Sequence, residues 1–168
     1  MDKSERQTVS SAIVTSVVEH KRLESNGVAI QVLVASSDTG GRYSSIDYSL
    51  PPTGIGPPLH FHEHMHESFH VTEGSVSFQA GEKRIEAAAG TVIHVPPGLP
   101  HAFWNSGPEP ARMIMTFVPG GFELYLEELL ELLEANSSHL ADMRPLMAEL
   151  AAKHDVVVVG PPPGKAIT

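Results

Sequence analysis

Residues 54–74 read GIGPPLHFHEHMHESFHVTEG, and residues 90–105 read GTVIHVPPGLPHAFWN. The first stretch carries His60, His62, His64, His66 and His70. Side chains alternate along a strand with period two, so His60 and His62 share one face. His62 with His64, and His64 with His66, keep the same spacing, and alternation alone leaves the register open. In the second stretch Pro96-Pro97-Gly98 makes a tight approach and His101 begins the next strand. Phe103 and Asn105 follow on the side of His101 where the alternation holds. A His-x-His pair, a carboxylate after a short turn and a histidine from a separate strand form a nitrogen and oxygen donor set. Such a set suits iron, manganese, nickel or zinc without sulfur. Gathered inside a barrel, these groups leave polar atoms to satisfy in a partly buried place, and a metal ion does that.

Working outward, residues 10–118 consist of short β-branched or alternating runs separated by turn residues, the pattern of an all-β sandwich or barrel. Strands are expected at Ile13–Val18, Val28–Ala35, Tyr43–Leu50, Leu59–His62, Ser68–Thr72, Val76–Gln79, Lys83–Glu86, Thr91–Val95, His101–Trp104 and Arg112–Val118. Asp38-Thr39-Gly40-Gly41, Gly56-Pro57-Pro58, Glu73-Gly74 and Asn105-Ser106-Gly107-Pro108 are among the turns between them. After Pro119-Gly120-Gly121 the period changes. Phe122, Leu126, Leu129, Leu130 and Leu133 recur at helical spacing, with Glu123, Glu127, Glu128, Glu131 and Glu134 on the opposite, solvated face. A second helix is expected around Met143–Lys153 with Pro145 in its first turn. Val156–Val159 reads as a short extended segment, and a loose tail begins at Gly160.

The length of 168 residues fits one domain, read as a barrel over 1–118 and a helical extension over 119–168 packed on it. The chain has no cysteine, which excludes disulfides, a thiolate zinc site, an iron–sulfur cluster and a cysteine nucleophile. The net charge of −9, with no dense lysine and arginine cluster, argues against nucleic acid as a partner. Much of the acidity lies in residues 121–155, away from the histidine motifs. The N-terminal stretch matches neither a secretory signal nor a spanning segment, so a cytoplasmic protein without membrane attachment is expected.

The two quoted stretches resemble the cupin superfamily, whose motifs read G-x5-H-x-H-x3-4-E-x6-G and G-x5-P-x-G-x2-H-x3-N. Gly54, His60, His62, Glu67 and Gly74 fit the first, and Gly90, Pro96, Gly98, His101 and Asn105 fit the second. Only the His60/His62 register keeps Glu67 and Gly74 at the family spacing. The resemblance implies a small single-domain cupin, an antiparallel jelly-roll β-barrel holding one divalent transition metal ion per chain. Its ligands would be His60, His62, Glu67 and His101. His64 and His66 then lie in a loop beside the site, and His70 leaves the barrel interior. His94 is packed or exposed. Resemblance also implies a homodimer.

A four-ligand site leaves two positions open on a six-coordinate ion, which then works as a redox centre or a Lewis acid. Glu67 is the candidate catalytic residue, as ligand and base, a role that quercetin dioxygenase-like cupins imply. Phe69, Val71 and Phe103 share parity with the ligands and are expected to line a pocket for a small molecule. Met113, Met115 and Phe117 would make the adjoining wall apolar, whereas Arg112, Ile114 and Thr116 would let it pair an anion. An apolar pocket over a metal favours a metal-dependent dioxygenase acting on a small aromatic or enol-type substrate. The alternatives are an isomerase, cyclase or decarboxylase using the ion as a Lewis acid, and a non-enzymatic small-molecule-binding protein.

Overall fold

A computed structural model describes residues 12, 22–25, 27–135 and 144–163. The expected strand at Ile13–Val18, the residue Met143, the side chain of Glu134 and the tail beyond 163 lie outside the described residues. In chain order the strands are β1 (Arg22–Ser25), β2 (Val28–Val34), β3 (Ser44–Leu50), β4 (Leu59–Phe61), β5 (His66–Glu73) and β6 (Ser75–Ala80). They continue with β7 (Lys83–Ala88), β8 (Val92–Val95), β9 (His101–Trp104) and β10 (Ala111–Val118). Helices α1 (Phe122–Ala135) and α2 (Arg144–Lys153) and strand β11 (Val157–Gly160) complete the chain. One sheet runs β1-β2-β3-β10-β5-β8 and the other β11-β4-β9-β6-β7, with every pairing antiparallel. This is the expected jelly-roll barrel. No described helix is long and apolar enough to cross a membrane.

Alternation decides what fills the barrel. On β10, Ala111, Met113, Met115 and Phe117 are buried, and Arg112 and Val118 are exposed. Register aligns these residues in rows across the sheet. Ile46, Met115, Phe69 and Ile93 form one row, and Ser44, Phe117, Glu67 and Val95 the next. Each row carries an apolar stripe against Val76, Phe78 and Phe103 of the opposite sheet. Burying an aromatic or aliphatic side chain of this size stabilises by about 1.5–3 kcal/mol. Glu67 alone interrupts the stripe with a charge.

Gly74 shows what the first motif's last glycine does. At φ +68° it turns β5 into β6, and a Cβ there would lie 2.5 Å from the carbonyl oxygen of Pro110. Gly54 is confined differently, since a Cβ would meet the Pro51 carbonyl oxygen at 2.8 Å.

Four local expectations need correction. β1 was missed because its RLES sequence has no apolar run; it needs none, since among the described residues it lies at a sheet edge and pairs only with β2. β4 ends at Phe61, so His62 lies one residue beyond the ladder. Gly160 does not begin a loose tail: it pairs with Leu59, whose N–H also donates to the Pro161 carbonyl. Pro145 does fall in the first turn of α2, as expected.

The fourth correction concerns Glu123, which is buried instead of solvated. Its Oε1 accepts the Ser36 N–H at 2.6 Å and its Oε2 accepts the Gly121 N–H at 3.0 Å. The carboxylate thus ties the Ser36–Thr39 3-10 turn to the start of α1, where helix N–H groups favour an anion. Helical periodicity placed this residue opposite the leucines but carried no information about a segment 87 positions earlier. Glu123→Ala strands two partly buried donors and is expected to destabilise the fold by about 2 kcal/mol. Thermal unfolding checks this, with a fall of roughly 4–8 °C for a chain of this size.

Candidate metal centre

His60 on β4 and His101 at the start of β9 are directly paired residues of neighbouring strands. His62 follows β4, and Gly98, at the second motif's turn, donates its N–H to the His62 carbonyl at 2.7 Å. Glu67 enters from the other sheet as the second residue of β5. The four side chains are 1–5% exposed, and their ligand atoms all lie within 4.8 Å of one another. Two sheets therefore bring the four residues of the cupin-like set to one place.

Hydrogen bonds on the far side of each ring settle its protonation. Nδ1 of His60 meets the Pro58 carbonyl at 2.8 Å, Nδ1 of His62 the Asp155 carbonyl at 2.6 Å, and Nδ1 of His101 the Leu99 carbonyl at 3.0 Å. A carbonyl only accepts, so each Nδ1 carries a proton and each neutral ring turns a bare Nε2 lone pair toward the centre. Glu67 Oε2 stands 2.6 Å from Nε2 of His101 and 3.3 Å from that of His62. Neither approach has hydrogen-bond geometry, and all three atoms are buried without a hydrogen-bond partner. Converging lone pairs and a carboxylate, cut off from water, are unfavourable unless a cation lies among them. The residues fit a metal ion.

Without an ion the same crowding acts on protons. Burial, followed by the neighbouring His101, pushes the His60 pKa down to about 4. Burial works to raise the Glu67 pKa, but His101 and His62 beside it hold that carboxyl at about 2. For His62, burial lowers the pKa and Glu67 more than reverses it, so the ring holds a proton above its ordinary value. Glu67 stays ionised through the whole neutral range, so acid competes with an ion chiefly through His62. Affinity for an ion is expected to fall as pH drops through that ring's raised pKa, because the proton it gains occupies the Nε2 that an ion needs. Calorimetric titration with Zn2+ at a series of pH values reads the loss; an affinity unchanged through the histidine range would contradict this assignment.

The other histidines of the two motif stretches lie elsewhere. His64 is 79% exposed at its side chain, with Nδ1 3.5 Å from Asp155. His66, expected in the loop, is instead the first residue of β5, because the ladder with β10 reaches back to it; it faces outward and stacks on the exposed His94 at 5.4 Å, and His70 is exposed as parity required. Only His60 and His62, of the possible His-x-His pairs, meet Glu67 and His101. Asn105 is buried but serves the loops: its amide donates to the carbonyls of Pro51 and Glu109, and its Oδ1 accepts the Gly107 N–H.

Phe69, Val71 and Phe103 point inward and are buried, together with Met113, Met115 and Phe117. Arg112 turns outward, where it pairs Asp47 and, at 3.2 Å, Glu73. Two neighbours of the cluster escaped the sequence reading. Phe78 stacks on His101 at 6.2 Å, and Phe122 packs edge-on against His62 at 5.2 Å. The alternation of Val76, Phe78 and Ala80 could have placed Phe78 inside. No local signal docks Phe122 on His62.

Comparison with known proteins agrees with this geometry. Residues 47–117 match the family model described as Cupin domain. The chain is 26% identical over 111 residues to quercetin 2,3-dioxygenase of Bacillus subtilis (strain 168), an alignment covering 66% of this chain and 32% of that protein. The chain thus spans about a third of the length of this curated relative. Among solved structures, KdgF from Halomonas sp. matches with a TM-score of 0.59 and 15% identity, over 68% of this chain and 99% of that one. A predicted oxalate decarboxylase from Thermotoga maritima matches with a TM-score of 0.57 and 20% identity, over 64% and 99%. The polyketide cyclase RemF from Streptomyces resistomycificus matches with a TM-score of 0.55 and 21% identity, over 64% and 80%. The three structural likenesses are likenesses of fold.

Proposed function

We propose, from the premise that the chain belongs to the cupin superfamily, that it is a metal-dependent dioxygenase acting on a small, uncharged aromatic or enol-type substrate. The apolar wall carries this reading. Met113, Met115 and Phe117 of β10 and Phe69 and Val71 of β5 face inward, while the cation of β10, Arg112, faces out to Asp47. Among the described residues, no buried one is a lysine or arginine. A carboxylate or phosphate substrate would enter this interior without a cationic side chain to pair it, at a large desolvation cost. A planar aromatic or enol ligand carries no net charge to pair and incurs a far smaller cost in this apolar interior. Similarity to the quercetin dioxygenase relative supports the same chemistry.

One divalent transition ion per chain, iron, manganese, nickel or zinc, suits the three imidazoles and one carboxylate. Such an ion supplies a Lewis acid and, where redox-active, an electron-transfer centre. His60, His62 and His101 hold it through Nε2, each ring aimed by the carbonyl on its Nδ1–H. Glu67 holds it from the opposite sheet and accepts the proton of the substrate's enol or phenol hydroxyl. Phe69 and Phe78, packed against His101, exclude water from the site.

The test is oxygen uptake by metal-reconstituted protein given a flavonol or a 1,3-diketone, with substrate loss followed in parallel. Stoichiometric uptake is expected, and Glu67→Gln is expected to lower kcat by about 100-fold or more while substrate still binds. Substrate turnover without oxygen uptake would replace this reading with Lewis-acid isomerisation, cyclisation or decarboxylation. Binding without turnover would leave a non-enzymatic ligand-binding protein.

A further inference from the structure

His62 is held from outside the family match. Its Nδ1–H donates to the backbone carbonyl of Asp155, 93 residues away and well beyond the matched segment 47–117. Asp155 lies between α2 and β11, at the only left-handed position (φ +60°) that the C-terminal elements place outside glycine among the described residues. The chain reaches it through a helix-ending turn, in which the N–H groups of His154 and Val156 both donate to the Ala151 carbonyl. Aspartate tolerates this conformation better than most residues. Its side chain also turns toward the site: Oδ1 accepts the Glu63 N–H at 2.8 Å and Oδ2 the His64 N–H at 3.0 Å. One residue therefore clamps both the His62 ring and the loop that follows it.

β11 keeps the clamp in place, pairing Val157 with Phe61 and Val158 with His60 on β4. Lys153 reaches Glu128 of α1 at 2.7 Å, and His154 reaches the same carboxylate at 3.2 Å. The C-terminal elements form a brace that runs from α1 through α2 to the metal loop.

We propose that Asp155 is a positioning residue of the metal centre, and that the C-terminal brace, through it, sets how long the ion is held. The inference rests on the metal-binding reading above. Residues that orient a metal ligand typically change metal affinity by about 10–100-fold when altered. Asp155→Gly preserves the left-handed turn and the backbone carbonyl while removing both carboxylate bonds to the loop. Asp155→Asn keeps one acceptor oxygen.

The experiment loads the full chain with Zn2+ and follows its transfer to a chelating dye, together with solvent exchange of the three imidazole Nδ1 protons by NMR. Release from Asp155→Gly is expected to be about 10–100-fold faster than from wild type, with Asp155→Asn between them. Only the His62 proton should exchange faster; those of His60 and His101, held by Pro58 and Leu99, should not change. A residue that merely stabilised the fold would loosen all three alike. Zn2+ release within twofold of wild type, with the three protons equally protected, would overturn the inference. If Asp155→Gly does not fold, Asp155→Asn carries the same test, and a His62 proton exchanging at the wild-type rate overturns it. Wild-type chain that takes up no Zn2+ would instead overturn the metal reading itself.

Discussion

Replacing His101 with alanine is expected to reduce metal retention by at least about 100-fold, because even changes in residues behind a ligand cost 10–100-fold. Wild-type protein purified without chelator should carry close to one transition ion per chain, and His101→Ala only a small fraction of that. His101 is singled out by its position: it is paired across β4 and β9 with His60, and its Nε2 lies nearest to Glu67. Its loss removes one of three imidazoles and leaves His60 and His62 from one sheet facing Glu67 from the other. The matching control is His64→Ala or His66→Ala, side chains that face solvent and should leave occupancy unchanged. Elemental analysis beside circular dichroism decides the matter. Full occupancy in His101→Ala, or loss in His64→Ala, would mean that the wrong register had been assigned to the histidine run.

Phe69→Ala is expected to give the largest loss of stability, about 3–5 kcal/mol. Phe69 is wholly buried, between Met115 and Ile93 in its row and against Phe78 at 4.9 Å and Phe103 at 5.7 Å across the barrel. Those neighbours come from both sheets and cannot all collapse into the space a benzyl group leaves. For a chain of this length the fall in Tm should be roughly 6–20 °C. The measurement belongs on metal-free protein, since a bound ion stabilises the folded state by mass action and would mask part of the loss. The ring also lies 6.0 Å from that of His101, so the variant should release its ion faster as well. A Tm change of only a few degrees would mean that this position is not the centre of the core.

Legibility in the sequence depended on how local the cause was. The two-residue period of β5 and β10 told inside from outside without a partner in view, which is why His70 was correctly placed on the surface. For β10 the period left two faces to choose between, and the structure selects Met113, Met115 and Phe117. The His60/His62 register was legible only through the resemblance to the cupin motif, whose spacing ties that pair to Glu67 and Gly74; alternation alone left it open. Glu123 was misread because the same helical arithmetic that found its opposite face could not see the Ser36 N–H waiting there. β1 was invisible for a related reason, since a short edge strand takes its order from the β2 backbone.

The amino-acid sequence by itself determined the all-β class and the exclusion of thiolate ligands, which follow from side-chain identity and local spacing, and through the resemblance of its two motifs it pointed to the four residues of the candidate site. Tertiary structure alone decided which nitrogen of each imidazole faces the centre, which face of β10 turns inward, and that Phe122 and Asp155 contact His62. Those facts come from contacts between segments far apart in the chain, where pairing depends on how whole elements pack and no local periodicity records it.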